Sequence, residues 1–433
     1  MSILGGRPES PFAIHAGRLF DGTGAETQRD VLVVVSGERV TEVGPAAHVR
    51  IPDGAPVIDA RDQTLLPGLI DAHVHLLGSG DPGDDAFSTG ELTRSPADIA
   101  MKNYRHAVLN LEAGWTTVRD AASRGFTDIA VRNAINRGDL VGPRIWACGL
   151  GITSTAGHMD REKHLAPGIH LPGPSAVADD PTEGRKAVRQ NLRFDVDFIK
   201  INASLTEHVR RYEGYSAPEM TKETMEAIID EAHRHGRKVT AHCYGSEGAT
   251  WAIEAGIDGI EHGFYLSDEQ LAMMAERGTV LCPTLSVPGR FREMGEKALP
   301  ANTANLEAWR KKAVANAWKT VGRAKAAGVT IIAGTDAAMP YIRHGEAAYE
   351  LEMLVEAGLT PLEALHAATG LAADALEFDG VGYVRPGAFA DLVVVDGDPI
   401  NDVSVLRDLQ RVPLVIKGGR IVADRRQVAA PAA

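Results

Sequence analysis

The sequence predicts an α/β protein: a (β/α)8 TIM barrel that carries a small β-sandwich-like unit built from both chain ends. Three observations predict it. Both termini are rich in short strand-like runs, apolar runs alternate with helical patterns through the middle, and histidines, a lysine and an aspartate fall where those middle runs end. Alternation of this kind marks a parallel sheet, because parallel neighbours need a long crossover and a helix usually supplies it.

The terminal segments come first. Phe12 to Leu19 runs into the turn cluster Asp21-Gly22-Thr23-Gly24, and Val31 to Val35 and Val40 to Val43 are β-branched. Ala390 to Asp396 and Leu414 to Val422 repeat the pattern at the other end, with glycines between. Neither end has a helical period, so residues 1–64 and 381–433 are expected to form one discontinuous β unit around a barrel of residues 65–380.

Eight strands are expected in the middle: Leu65–Leu76, Thr116–Asp120, Pro143–Cys148, Asp197–Ile201, Lys238–His242, Gly259–His262, Thr279–Pro283 and Thr330–Ala333. Helical patterns such as Ala97–Glu112, Pro218–His235, Glu247–Ala255, Asp268–Glu276 and Leu306–Ala327 separate most of them. The third connection, about residues 150–196, is long and rich in Gly, Pro and His, as an active-site wall or lid would be.

The bulk properties agree with an enzyme of this size. The 433 residues suit one barrel plus a small module, and 44% hydrophobic and 24% charged residues are ordinary globular values. With 45 basic against 58 acidic residues the net charge is −13, which disfavours nucleic acid and anionic membranes as partners but not a small molecule bound in a local site. Cys148, Cys243 and Cys282 are widely spaced and form no Cys-x-x-Cys pair, so free buried thiols in a reducing compartment are expected. Met1 to Ser10 lacks a signal-peptide pattern and no apolar stretch reaches a membrane span, which makes a cytoplasmic location the expectation.

The chemistry-bearing residues stand at strand ends. His73 and His75 are two apart, so on a strand both imidazoles share one face and can reach one metal ion. Two surface histidines would be the plain alternative. Lys200 lies in Asp197-Phe198-Ile199-Lys200-Ile201, and an ammonium buried there requires neutralisation, either by an ion pair or by carboxylation to a carbamate. His242 ends Val239-Thr240-Ala241-His242, His262 ends Gly259-Ile260-Glu261-His262, and Asp336 follows Ile331-Ile332-Ala333-Gly334-Thr335. Barrel enzymes keep their active sites at the C-terminal ends of the strands, and nitrogen and oxygen donors of this kind suit zinc or a related divalent ion.

Together Asp71-Ala72-His73-Val74-His75, Lys200, His242, His262 and Gly334-Thr335-Asp336 resemble the amidohydrolase superfamily, over almost the whole chain. Gly387-Ala388-Phe389-Ala390-Asp391-Leu392-Val393-Val394 looks like that family's return to the terminal module. The resemblance implies two divalent metal ions, most simply zinc. His73, His75 and Asp336 would hold the buried one, His242 and His262 the exposed one, and carboxylated Lys200 would bridge them. A metal-bridging hydroxide would attack, and Asp336 would take its proton and pass it to the leaving amine. The family often forms homo-oligomers.

Thr116-Thr117-Val118-Arg119-Asp120, His242-Cys243-Tyr244-Gly245 and Glu352 to Gly358 resemble the prolidase-like dipeptidases and the ochratoxin-type amide hydrolases of that superfamily. The implied reaction is cleavage of an amide that frees an amino acid, from Xaa-Pro dipeptides, N-acyl amino acids or an aromatic amide such as ochratoxin A. Tyr244 would polarise the scissile carbonyl or hold the substrate, and His158, in Thr155-Ala156-Gly157-His158, would contact the substrate carboxylate. Ala156 departs from the pattern, standing where a second glycine is expected. Arg119-Asp120 is expected to be a structural pair rather than a carboxylate-binding one, His344-Gly345-Glu346 to start a helix rather than line the pocket, and His164 and His170 to be solvated. A mononuclear deaminase or another C–N, ester or carbamate hydrolase on the same barrel is the alternative, but the deaminase-type relatives generally lack the strand-four lysine. A non-catalytic scaffold is disfavoured because no ligand position is lost.

Overall fold

The computed structural model describes residues 11–83, 93–163, 165–171, 173–205, 217–294 and 304–426. Met1 to Ser10, His164 and the 428–433 tail lie outside them.

Seven strands from the two chain ends hydrogen-bond as one sheet. β1 (Phe12–Leu19), β2 (Gln28–Ser36), β3 (Arg39–Pro45) and β4 (Val57–Pro67) join β14 (Leu392–Val395), β15 (Leu414–Lys417) and β16 (Arg420–Asp424) in the order β16-β15-β14-β4-β1-β2-β3. The sandwich-like unit expected from the termini thus takes the form of a single sheet with apolar side chains on both faces. Val31, Val33 and Val35 pack with Ile14, Val394 and Ile416, while the alternate residues Leu32 and Val34 pack with Ala13 against Ala46 and Val49. That is the period-two pattern of a strand.

The run expected as one strand over Leu65–Leu76 is two. It breaks at Gly68, where a Cβ would come within 2.0 Å of Thr116 Oγ1. The Gly68 N–H donates to Asp391 O at 2.7 Å, tying the break to the last strands of the chain. Before it, β4 belongs to the terminal sheet. After it, β5 (Leu69–Val74) opens a parallel sheet with β6 (Trp115–Asp120) and β7 (Arg144–Ala147).

A six-stranded parallel sheet follows: β8 (Gly151–Thr153), β9 (Ser175–Val177), β10 (Ile199–Asn202), β11 (Val239–Cys243), β12 (Gly259–His262) and β13 (Val280–Cys282), in the order β13-β12-β11-β10-β8-β9. β8, β9 and a helix over Pro181–Leu192 occupy the third connection, which was expected to be irregular. Their three-residue strands are too short to show a period among glycines and prolines. Asp197 N donates to Ala147 O at 2.9 Å, linking the start of β10 to β7.

The expected strand Thr330–Ala333 is reduced to one parallel bridge, Ile331 to Leu281. Its backbone changes partner midway. Ile332 N donates to Leu281 O at 2.9 Å, and Ala72 N then donates to Ala333 O at 2.9 Å. Asp336 N donates to His73 O at 2.8 Å and His75 N to Ala337 O at 2.9 Å. Segment 330–337 therefore stands between β13 and β5. Gly334 permits the crossing, since a Cβ there would lie 2.4 Å from Cys282 Sγ and 2.8 Å from His73 N.

Helices cover these strands. Over Lys222–Arg234 the buried residues Met225, Ile228, Ile229 and Ala232 recur at helical spacing. That helix starts later than the expected Pro218 because Thr221 is its N-cap and accepts from Thr224 N. No helix among the described residues is long and apolar enough to cross a membrane.

One buried ion pair fastens the terminal sheet to the parallel strands. Asp391 accepts from Arg144 Nε at 2.7 Å and from Gly418 N at 2.7 Å, and Arg144 also lies 3.5 Å over the Phe389 ring. Arg144→Leu strands a buried carboxylate, so we expect a loss of about 3 kcal/mol, visible as a lower urea-unfolding midpoint. An unchanged midpoint would show that the pair does not fasten the two parts.

Candidate metal centre and active site

The strand-end histidines form one continuous cluster. Ring centroids lie 5.3 Å apart for His73 and His75, 5.3 Å for His73 and His262, 4.7 Å for His242 and His262, and 4.0 Å for His158 and His242. The i,i+2 spacing at the end of β5 brings both imidazoles to one carboxylate: Asp336 Oδ1 is 3.5 Å from His73 Nε2 and 3.3 Å from His75 Nε2. Ligand atoms of these three buried residues lie within 4.8 Å of one another, a group that could hold a metal ion. His73 Nε2 is buried with no hydrogen-bond partner, which is costly for a polar atom unless something fills its lone pair.

The other imidazole nitrogens are committed behind the site. His73 Nδ1 lies 2.6 Å from Glu261 Oε2, and His262 Nδ1 lies 2.7 Å from Thr284 Oγ1. Burial raises the pKa of Glu261, but Arg119 and His73 outweigh it and hold the group well below the usual carboxylate range. Burial lowers His73 to about 4, so its ring is neutral. An ionised carboxylate only accepts, so the proton sits on Nδ1 and the Nε2 lone pair faces Asp336. Burial also works against ionisation of Asp336, yet His73, His75 and His262 keep its carboxyl far below the ordinary value.

Two of the site residues have left-handed backbone, His262 at φ 72° and Asp336 at φ 61°. Such conformations are uncommon outside glycine and gather at functional sites. Asp71 enforces the one at Asp336. Its buried carboxylate accepts from Thr335 N at 3.0 Å, Thr335 Oγ1 at 2.7 Å and His73 N at 3.3 Å. The aspartate that opens the Asp71 to His75 run thereby ties β5 to the segment carrying Asp336.

Lys200 is 3% exposed and makes no hydrogen bond or ion pair among the described residues. Burial lowers its pKa, against the pull of Glu261 and Asp336. Burial thus favours its uncharged form.

Tyr244 stands with its ring 4.8 Å from His242 and 5.4 Å from His262. The loop carrying His158 is held by Glu219, which accepts from Thr153 Oγ1 at 2.6 Å, Ser154 N at 3.1 Å and His158 N at 2.8 Å. Ala156 takes the glycine-like φ of 58° itself. Gly157 cannot be replaced in the same way, because a Cβ would meet Glu219 Oε1 at 2.3 Å.

Two expectations change. Arg119 does not pair with Asp120. It crosses the interior to Glu261, 2.6 Å from Nη2, and donates through Nε to Ala72 O. Adjacent strand residues face opposite ways, which prevents the expected pair. His344 precedes the helix Ala348–Glu356; it is buried, stacks 4.7 Å from His106 and approaches Gly78 O at 2.9 Å. His170 is exposed as expected, 3.0 Å from Glu162.

Glu261 and Glu219 are the residues that sequence reasoning passed over. Glu261 stands on a strand among apolar neighbours, so the burial cost that drew attention to Lys200 applied to it equally. Cys282 also lies near His73 and Glu261. Burial pushes its thiol well up, and His73 Nδ1 is already taken by Glu261, so these three brace the site.

Comparison with known proteins agrees with this geometry. The amidohydrolase family model matches residues 64–422. Ochratoxinase of Aspergillus niger is 32% identical over 430 residues, covering 94% of this chain and 86% of that protein. A Xaa-Pro dipeptidase solved with methionine bound in its active site superposes with a TM-score of 0.83 at 32% identity, covering 95% of this chain and 99% of the other. A prolidase complexed with N-methylphosphonate-L-proline gives a TM-score of 0.83 at 27% identity, covering 96% and 100%. The chain belongs to the amidohydrolase family: it has an α/β TIM-barrel-type fold and is a hydrolase that acts on amide bonds.

Proposed function

We propose that this hydrolase uses two divalent metal ions to cleave the amide of a small peptide-like substrate and release a free amino acid. The division into a barrel over residues 65–380 and a β unit from both termini belongs to the same reading. One observation carries it: His73, His75 and Asp336 converge beside a buried, unpaired Lys200.

The donor set fits the metals. His73, His75 and Asp336 would hold one ion and His242 and His262 the other, with Lys200 between them as a carbamate. A neutral amine is the form that adds CO₂, and burial favours that form. A divalent pair supplies Lewis acidity toward a carbonyl and toward water.

The chain's own residues do the rest. Asp336 is the carboxylate that carries a proton from water to the departing nitrogen, a role that requires it ionised at rest, as its histidine neighbours keep it. Tyr244 lies beside His242 and His262, where its hydroxyl would serve the scissile carbonyl. His158, stacked on His242, would meet the carboxylate of the amino-acid half. Similarity to a protein that binds methionine and to one that acts on ochratoxin supports the amino-acid half and leaves the acyl half broad.

A screen of N-acyl amino acids, Xaa-Pro dipeptides and ochratoxin A, with metal analysis of the same sample, tests the reading. We expect turnover of at least one amide class at two metal ions per chain. Turnover confined to esters, carbamates or ureas at full metal loading would reject it. Lys200→Ala is expected to lose one of the two ions and to lower kcat at least about 100-fold, the scale set by a missing charge stabiliser. Two ions with full activity in that variant would eliminate the carbamate.

A further inference from the structure

A cavity of about 170 Å³ opens at the opposite, N-terminal ends of the parallel strands and reaches inward to Arg119. It shares no wall with the histidine cluster. Two side chains of opposite charge line it, each in one ion pair and each with one polar atom to spare. Arg119 uses Nε for Ala72 O and Nη2 for Glu261, which leaves Nη1 without a bond among the described residues. Asp197 accepts both Arg132 Nη1 at 2.6 Å and Ala147 N at 2.8 Å on Oδ2, which leaves Oδ1 open in the same sense. The cation on the rim is already spent: Lys238 lies 3.0 Å from Glu377 and 3.6 Å from Asp258.

The remaining wall mixes aromatic side chains with Thr240, Asp258 and Glu377. Trp146 and Phe378 stack at 3.9 Å and Phe198 lies under the Arg119 guanidinium, 5.1 Å from its Cζ. A donor edge, an acceptor oxygen and aromatic walls together recognise a zwitterion with an apolar side chain. A cavity of about 150 Å³ holds a benzene-sized molecule, so the space suits an α-amino acid of about six to eight non-hydrogen atoms.

We propose that this cavity is a second binding site, for a free α-amino acid with a small apolar side chain. The carboxylate lies on Arg119 and the ammonium on Asp197. Arg119 also holds Glu261, and Glu261 holds His73, so occupation bears on the metal centre through two hydrogen-bonded side chains. That the occupant is also the reaction's product rests on the function proposed above; binding does not.

Calorimetric titration of the metal-loaded protein with L-valine is the test, using Asp197→Asn and Ala375→Phe, both on the cavity wall and outside the catalytic machinery. Each variant is expected to bind one valine fewer per chain than the wild type, with kcat and KM for amide hydrolysis unchanged. Valinamide and N-acetylvaline, each lacking one charge, are expected to leave this site unfilled. Equal valine stoichiometry in the wild type and the near-isosteric Asp197→Asn, or filling by valinamide, overturns the proposal. The count of bound valines is read independently of turnover, so a failed substrate screen leaves the result interpretable.

Discussion

A carboxylate buried in the interior, Glu261, is the constraint on which the site depends. It is fully enclosed, and an isolated ion there would cost several kcal/mol after relaxation. Three partners offset that cost: Arg119 at 2.6 Å, the Thr240 hydroxyl and His73 Nδ1 at 2.6 Å. Because the last is a candidate metal ligand, the arrangement that neutralises Glu261 also fixes which nitrogen of His73 faces Asp336. The interior is polar by design of its partners, with Arg119 reaching across from β6 and Thr240 and Glu261 standing on neighbouring strands. Breaking this set would leave a bare charge on one side and a freely turning imidazole on the other.

A second set of bonds does for the aspartate what Glu261 does for the histidine. Asp71 holds Thr335, and Thr335 precedes a residue with left-handed backbone. The partner change in segment 330–337 is therefore a condition of the site: a regular strand would carry Asp336 along its ladder, whereas the crossing returns it to His73 and His75. Function sits where the fold departs from its own regularity.

Much of this was legible in the sequence, for identifiable reasons. The i,i+2 histidines, the buried lysine and the strand-end positions follow from strand geometry and from the cost of burying charge, and the structure gathers all of them. What escaped was set by contacts between distant residues. The strand break at Gly68 arises from Thr116, and no local pattern shows it. Sequence offers Arg119 the adjacent Asp120 as its acid, whereas its partner Glu261 lies 142 positions away. Glu261 directly precedes His262, and the histidine is the more obvious ligand of the two. The short strands of the third connection fell below the length at which alternation can be recognised.

The central claim is that Glu261 sets the metal affinity of His73 from behind. Glu261→Gln keeps the size and removes the charge, and metal-ion titration of the variant against the wild type measures the consequence directly. Supporting partners of metal-ligating histidines typically contribute roughly 10–100-fold in affinity. The account predicts a loss of that size for the ion that His73 would hold, with an unaltered circular dichroism spectrum. Unchanged affinity in a correctly folded variant would contradict it.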